Sequence, residues 1–195
     1  RAEGSGPMNM EPVRFGVIDC GLMGREFASV SMRWLHLACE LPRPVIVAAC
    51  DLSPKNLDWF RQVPDTKYFY SDYHELLANP EVEAVYCAVP HHLHAQVYGD
   101  VIRAGKHLIG EKPFGMDLAA CEEVEAAMAG RPEVFVRCAS EFPFYPAVQQ
   151  MVKWYREGAF GQIIEARFAI KHSSDMDLAK PINWKRMRAA NGEYG

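Results

Sequence analysis

The chain has 195 residues, of which 49% are hydrophobic and 24% charged, with a formal net charge of −4. That length can bury a full core and holds one large domain, or one and part of another. The charge balance leaves no basic footprint for nucleic acid, so that partner class is not expected. No apolar run approaches the roughly 18 residues of a membrane span, so no membrane partner is expected either.

Residues 1–13 lack the apolar stretch of a signal peptide and read as a disordered tail. A strand at residues 14–19 follows, then helical spacing over 22–37 through Phe27, Val30 and Trp34. The run PVIVAAC at 44–50 is near-continuously apolar, as a strand buried on both faces should be. Residues 54–62 read as a helix opened by a proline, with Ser53 the better cap and Asp51 a second candidate. A short strand at 67–70 leads to a helix over 73–78, and VEAVYCAV at 82–89 is the next buried strand. Helix 92–104 stops at Gly105, strand 107–110 follows, and Asp117 caps a helix that runs to Gly130. A strand at 133–138, an amphipathic helix at 146–157 and an alternating strand at 163–170 complete the list.

Strands and helices alternating at this rhythm predict a doubly wound parallel α/β sheet of Rossmann type. A boundary near 140–145 divides a dinucleotide-binding domain, 14–140, from the start of an α+β substrate domain, 141–195, and the chain reads as the front part of a longer protein. The six cysteines show no close pairing, and four of them (Cys20, Cys50, Cys87, Cys138) lie in or at the end of apolar strand runs. That pattern favours free thiols in a reducing compartment, and hence the cytoplasm.

The chemistry-bearing residues fall at the carboxyl ends of the predicted strands, where open α/β sheets place their ligand crevice. The first strand-to-helix turn reads Asp19-Cys20-Gly21-Leu22-Met23-Gly24, a G-x-G-x-x-G fingerprint whose first glycine is an aspartate. Gly21 would let the backbone approach a pyrophosphate, and Gly24 would let helix pack on strand. Aspartate tolerates left-handed backbone better than most residues, yet its carboxylate close to the phosphates would weaken binding unless it points away. A glycine-containing turn without a ligand is the alternative. Asp51, closing the second strand, would accept hydrogen bonds from the adenosine ribose and repel a 2′-phosphate, which predicts NAD over NADP. Three histidines lie in Pro90-His91-His92-Leu93-His94, but no carboxylate or cysteine completes a set at metal-ligand spacing, so no metal is expected. Met23, Phe27, Trp34, Phe142, Phe144 and Tyr145 read as packing. Lys112, in Glu111-Lys112-Pro113 after strand 107–110, is placed to transfer a proton, and the proline stiffens its turn.

These segments together resemble the Gfo/Idh/MocA family of NAD(P)-dependent oxidoreductases. The likeness is carried by RFGVIDCGLMG, AACD, YSDYHELLANPEVEAVYCAVPHHLHAQV, AGKHLIGEKPFGMDLAACEEV, EGAFGQI and Trp184-Lys185. The resemblance implies that Lys112 is the catalytic lysine and that Pro113 shapes its loop. It further implies that Pro90 and His94 lie in a segment near the nicotinamide, and His91 between them joins the expected cofactor site. With Cys20, Gly21, Leu22, Met23, Gly24, Asp51, Glu111, Lys112 and Pro113 they form the expected cofactor site. The implied chemistry is hydride transfer between NAD, or less favourably NADP, and a hydroxyl carbon of a sugar, inositol or related polyol. The full-length protein would be a homo-oligomer. An NAD-dependent glycosidase of the same family and a non-catalytic cofactor-binding or regulatory protein are the alternatives. Departures are Asp19, His91 in place of a small polar residue, and Glu141-Phe142-Pro143-Phe144 in place of an arginine-rich stretch. A downstream D-x-x-x-H segment is also missing.

Overall fold

The structure, a computed structural model, describes residues 10–36, 41–171, 176, 179, 181 and 184–191. Cys39 and residues 1–9 of the expected tail therefore lie outside the described residues. Six strands form one parallel sheet: β1 (Val13–Ile18), β2 (Pro44–Cys50), β3 (Tyr68–Tyr70), β4 (Ala84–Cys87), β5 (His107–Gly110) and β6 (Val136–Cys138). Their order is β3-β2-β1-β4-β5-β6, so the chain turns back between β1 and β4. The doubly wound expectation is met. The crevice of such a sheet opens where the order reverses, over the carboxyl ends of β1 and β4.

The side chains of each strand alternate between two faces, and two separate cores result. On one face Phe15, Val17, Ile46, Ala49, Ala84 and Tyr86 pack beneath α1 (Leu22–Met32) and α2 (Pro54–Phe60). On the other, Ile18, Val47, Ala48, Val85, Cys87 and Leu108 meet α3 (Tyr73–Ala78), α4 (His94–Arg103) and α5 (Leu118–Ala129). This explains the continuous apolar runs of β2 and β4, since neither face of the sheet meets water. Among the described residues no helix is long and apolar enough to cross a membrane.

Local chemistry sets the helix ends. The Asp117 carboxylate accepts from Ala120 N–H at 2.9 Å and opens α5, and Gly105, at φ 75°, ends the turn after α4. Ser53 occupies the cap position of α2 but its hydroxyl makes no capping bond. The Asp51 Oδ1 takes the Ser53 N–H instead, at 2.7 Å. The first helix ends earlier than its periodicity suggests, at Met32, with a 3₁₀ turn over Trp34–His36. The helix predicted from residue 92 begins as a 3₁₀ turn, His91–Leu93, before α4 proper.

Two expectations fail beyond residue 140. Residues 163–170 form no strand, because no described segment offers them a ladder; Ile164 is 95% exposed. Alternation alone cannot make a strand without a partner to take its N–H and C=O groups. The aromatics expected to pack there, Phe142, Phe144 and Tyr145, are instead exposed. They follow β6 beside α6 (Pro146–Arg156), with Phe144 lying under the Arg137 guanidinium at 4.6 Å.

Packing is close between α4 and β5. Tyr98 is fully buried, and a Cβ on Gly110 would sit 2.6 Å from its ring. Gly110→Ala should therefore cost about 1–3 kcal/mol through overpacking. Leu108→Ala, which empties a fully buried site, should cost about 2–5 kcal/mol. Urea denaturation of both variants measures this, and the glycine variant should regain stability when Tyr98 is trimmed to leucine.

Candidate functional site

The β1–α1 turn is bent by Asp19, at φ 72°, in the left-handed region that glycine would otherwise supply. Its Oδ1 accepts the Gly21 N–H at 2.9 Å. Burial holds the Asp19 carboxyl above the ordinary carboxylate range, against the pull of that N–H, and the charge of Asp51 adds to the rise. Gly24 is required by contact: a Cβ there would drive into the Asp19 carbonyl oxygen. Helix α1 thus starts tight against β1, with no side chain capping its first turn.

Asp51 ties this turn to the end of β2. Its Oδ2 accepts the Cys20 N–H at 2.7 Å and the Asn56 amide at 3.0 Å, while Oδ1 accepts the Ser53 N–H. Asn56 in turn accepts from the Arg25 guanidinium at 3.0 Å. Sequence reading assigned Asp51 to a ribose and missed this second task. The clue was available in Asn56, one helical turn beyond Ser53. Cys20 itself is fully buried, its thiol pushed up by burial and by Asp51, and presents its backbone rather than its sulfur.

The Glu111-Lys112-Pro113 turn is built from beneath. The Glu111 carboxylate is buried, and it accepts from Tyr86 O–H at 2.7 Å and from Lys112 N–H at 3.0 Å. Tyr98 O–H donates to the Glu111 carbonyl at 2.8 Å. The Lys112–Pro113 peptide is cis. The His94 ring lies 2.7 Å from the Pro113 carbonyl through Nδ1 and 2.8 Å from the Val89 carbonyl through Nε2. His94 is therefore a strut between the β4–α4 loop and the lysine's turn. A neutral ring donates to one of the two carbonyls, and a protonated ring to both. Burial holds its pKa below the ordinary imidazole range, opposed by both carbonyls and by Glu111. Tyr86 and Tyr98 were not singled out from the sequence, although Tyr98 lies four residues after His94 on one helix face and stacks on it at 4.7 Å.

Two cavities flank the β1–α1 turn and share Asp19, Val89 and Pro90. The larger, about 590 Å³, is lined by Asp51, Leu52, the 71–74 segment and the start of α4. The smaller, about 210 Å³, is lined by Gly21, Leu22, Met23, His91, His94, Glu111 and Lys112, with Trp184 and Lys185. Every predicted site residue except Pro113 and the two turn residues packed beneath, Cys20 and Gly24, lines one cavity or the other. Trp184 and Lys185, noted in the sequence only as part of the resemblance, reach the cleft by tertiary packing: the Trp184 ring meets His91 edge-on at 5.0 Å. Burial lowers the His91 pKa, and the neighbouring His94, Lys112 and Lys185 lower it further. Among the described residues no set of three His, Cys, Asp or Glu side chains is placed to hold a metal ion.

A dinucleotide fits this arrangement. A turn that excludes a Cβ at Gly24, a helix start with uncapped N–H groups and two linked hollows on either side match its two halves and the phosphates between them.

Comparison with known proteins gives the same picture. Residues 13–137 match the Gfo/Idh/MocA family model, described as an oxidoreductase family with an NAD-binding Rossmann fold. The human trans-1,2-dihydrobenzene-1,2-diol dehydrogenase is 31% identical over 159 residues, covering 80% of this chain and 45% of the relative. Levoglucosan dehydrogenase of Pseudarthrobacter phenanthrenivorans is 26% identical over 188 residues, covering 94% of this chain and 47% of the relative. A solved levoglucosan dehydrogenase in complex with NADH superimposes with a TM-score of 0.81 at 22% identity, over 93% of this chain and 49% of that one. Scyllo-inositol dehydrogenase from Lactobacillus casei, solved with NAD(H) and scyllo-inositol, gives 0.67 at 21% identity, over 78% of this chain and 43% of that one. The chain spans less than half the length of these relatives. With the parallel sheet, the tight first turn and the family match over most of the chain, this protein belongs to the Gfo/Idh/MocA family of oxidoreductases with an NAD-binding Rossmann fold.

Proposed function

We propose that the protein containing this chain oxidises a secondary alcohol of a sugar, inositol or related polyol, or reduces the corresponding carbonyl, with NAD. One observation carries the reading: Lys112 and the β1–α1 turn line one cavity, and that turn also borders the cavity over Asp51. The turn at Gly21, Leu22 and Met23 would seat the pyrophosphate, Asp51 the adenosine ribose, and Pro90 and His91 would border the nicotinamide. When bound, the dinucleotide supplies the hydride acceptor or donor. The chain's own part is to hold the reacting hydroxyl against Lys112 Nζ, which takes its proton during oxidation and returns it during reduction. Glu111, Tyr86, Tyr98 and His94 act on the lysine by fixing its backbone. The named relatives act on dihydrodiol, anhydrosugar or inositol substrates by their descriptions, which supports a polyol here. We assign residues 14–140 to the cofactor and read 141–195 as the opening of a substrate domain.

Among the described residues the larger cavity is lined by Asp19, Asp51 and Asp72, with no lysine or arginine. A 2′-phosphate there would meet like charge without a cation, so NAD should bind more tightly than NADP. Asp51→Ala should forfeit charge-assisted bonds of about 1.5–3 kcal/mol, or roughly 10- to 100-fold in NAD affinity. Calorimetric titration of both cofactors checks this, and tighter binding of NADP would refute it.

Lys112 is exposed and lines the smaller cavity. In the full-length protein Lys112→Met should lower turnover by roughly 10²–10⁴-fold, with NAD affinity and melting temperature little changed. Turnover near that of the parent would remove Lys112 from the chemistry.

A further inference from the structure

The first fingerprint position holds an acid, and the structure shows what the acid does. Asp19 Oδ1 accepts the N–H of Gly21, a residue that lines the smaller cavity just before α1. The carboxylate is close enough that a Cβ on Gly21 would lie 2.8 Å from Oδ1. The neighbouring Cys20 N–H is already taken by Asp51. An anion brought to this turn must share it with a carboxylate already bonded to one of its donors.

We propose that the Asp19 carboxylate stands in for a cofactor phosphate on the Gly21 N–H, and that dinucleotide binding at this cleft is accompanied by uptake of a proton onto Asp19. The inference rests on the cofactor reading above and adds its regulation. Once protonated, Asp19 no longer repels the pyrophosphate, and its O–H can donate to a phosphate oxygen. The Gly21 N–H is then released to the ligand, and one negative charge is removed from the turn.

The sign follows from the charges around Asp19. Burial and Asp51 already raise its pKa in the free chain, and an adjacent dianionic pyrophosphate raises it further. Between the free and bound pKa values affinity increases as pH falls, and outside that window it levels off. Other groups lie around the same turn: Cys50 and Asp51 from the end of β2, Asp72 and His74 from the start of α3, and Cys87 and His91 from the β4 side. Glu111 and Lys112 approach from β5, Lys185 from the later segment, and Tyr86 and His94 lie beneath. Burial pushes the Cys50 and Cys87 thiols up to about 12, out of the relevant range. The imidazoles are the competing source of any pH dependence.

The test is calorimetric titration of NAD from pH 5.5 to 8.5 into the unmodified chain, Asp19→Asn and Asp19→Gly, in buffers of different ionisation enthalpy. The asparagine keeps the turn's acceptor and removes its charge; the glycine removes both, and serves if the asparagine variant fails to fold. Expected for the unmodified chain are proton uptake on binding and a gain in affinity of up to about tenfold per pH unit on acidification. Both variants should bind at least about tenfold more tightly at the alkaline end and show a flattened profile. A slope that survives in Asp19→Asn and Asp19→Gly belongs to the histidines and overturns the proposal. So does weaker binding by both variants, which would make Asp19 an organiser of the turn. No saturable binding by any of the three at any pH overturns the cofactor reading itself, whereas NAD binding that does not depend on Asp19 leaves that reading intact.

Discussion

The turn between β1 and α1 is held by two carboxylates, and the candidate site is organised around it. Asp51 reaches back from the end of β2 to the Cys20 N–H, and Asp19 closes on the Gly21 N–H from within the turn. The N–H groups of Cys20 and Gly21 precede the first turn of α1, and acids supply their partners. The two cavities meet at this turn, so its geometry decides how far each can open toward the other. The two acids occupy these donors and place negative charge at the turn that both cavities border.

A second scaffold does for Lys112 what Asp51 does for the turn. The lysine is exposed, but its backbone is fixed by a carboxylate, two tyrosines and a histidine, none of them in sequence contact with more than one other. Tyr86 comes from β4, Tyr98 and His94 from α4, and Glu111 from the end of β5. Each contributes a bond to a buried polar group that would cost about 1–3 kcal/mol if left unpaired. An exposed amine is thereby carried on a backbone fixed by hydrogen bonds.

Beyond residue 140 the structure has a different character. Helix α6 and the segment after it leave Tyr155, Ile164, Phe168 and Ile170 exposed, whereas the sheet's own helices bury their apolar faces. The matched part of the chain covers less than half of each of these relatives. The parallel sheet and its flanking helices form their core without that region, and from it Trp184 and Lys185 line the smaller cavity.

The sequence by itself determined the strand–helix alternation, the parallel sheet, and the clustering of Gly21, Gly24, Asp51 and Lys112 at strand ends. These follow from local rules: apolar runs of strand length, glycines where contact forbids a Cβ, and turns that cap helices. The family match to residues 13–137 agrees with that reading. Only the tertiary structure decided which donor Asp19 takes and that Asp51 serves the turn as well as the cleft. It also decided that His94 spends both nitrogens on carbonyls, and that residues 163–170 are not a strand. In each case the partner lies on another element, or no described element supplies one. Hydrogen bonds and ladders are properties of pairs, and spacing along one segment carries no information about the second member.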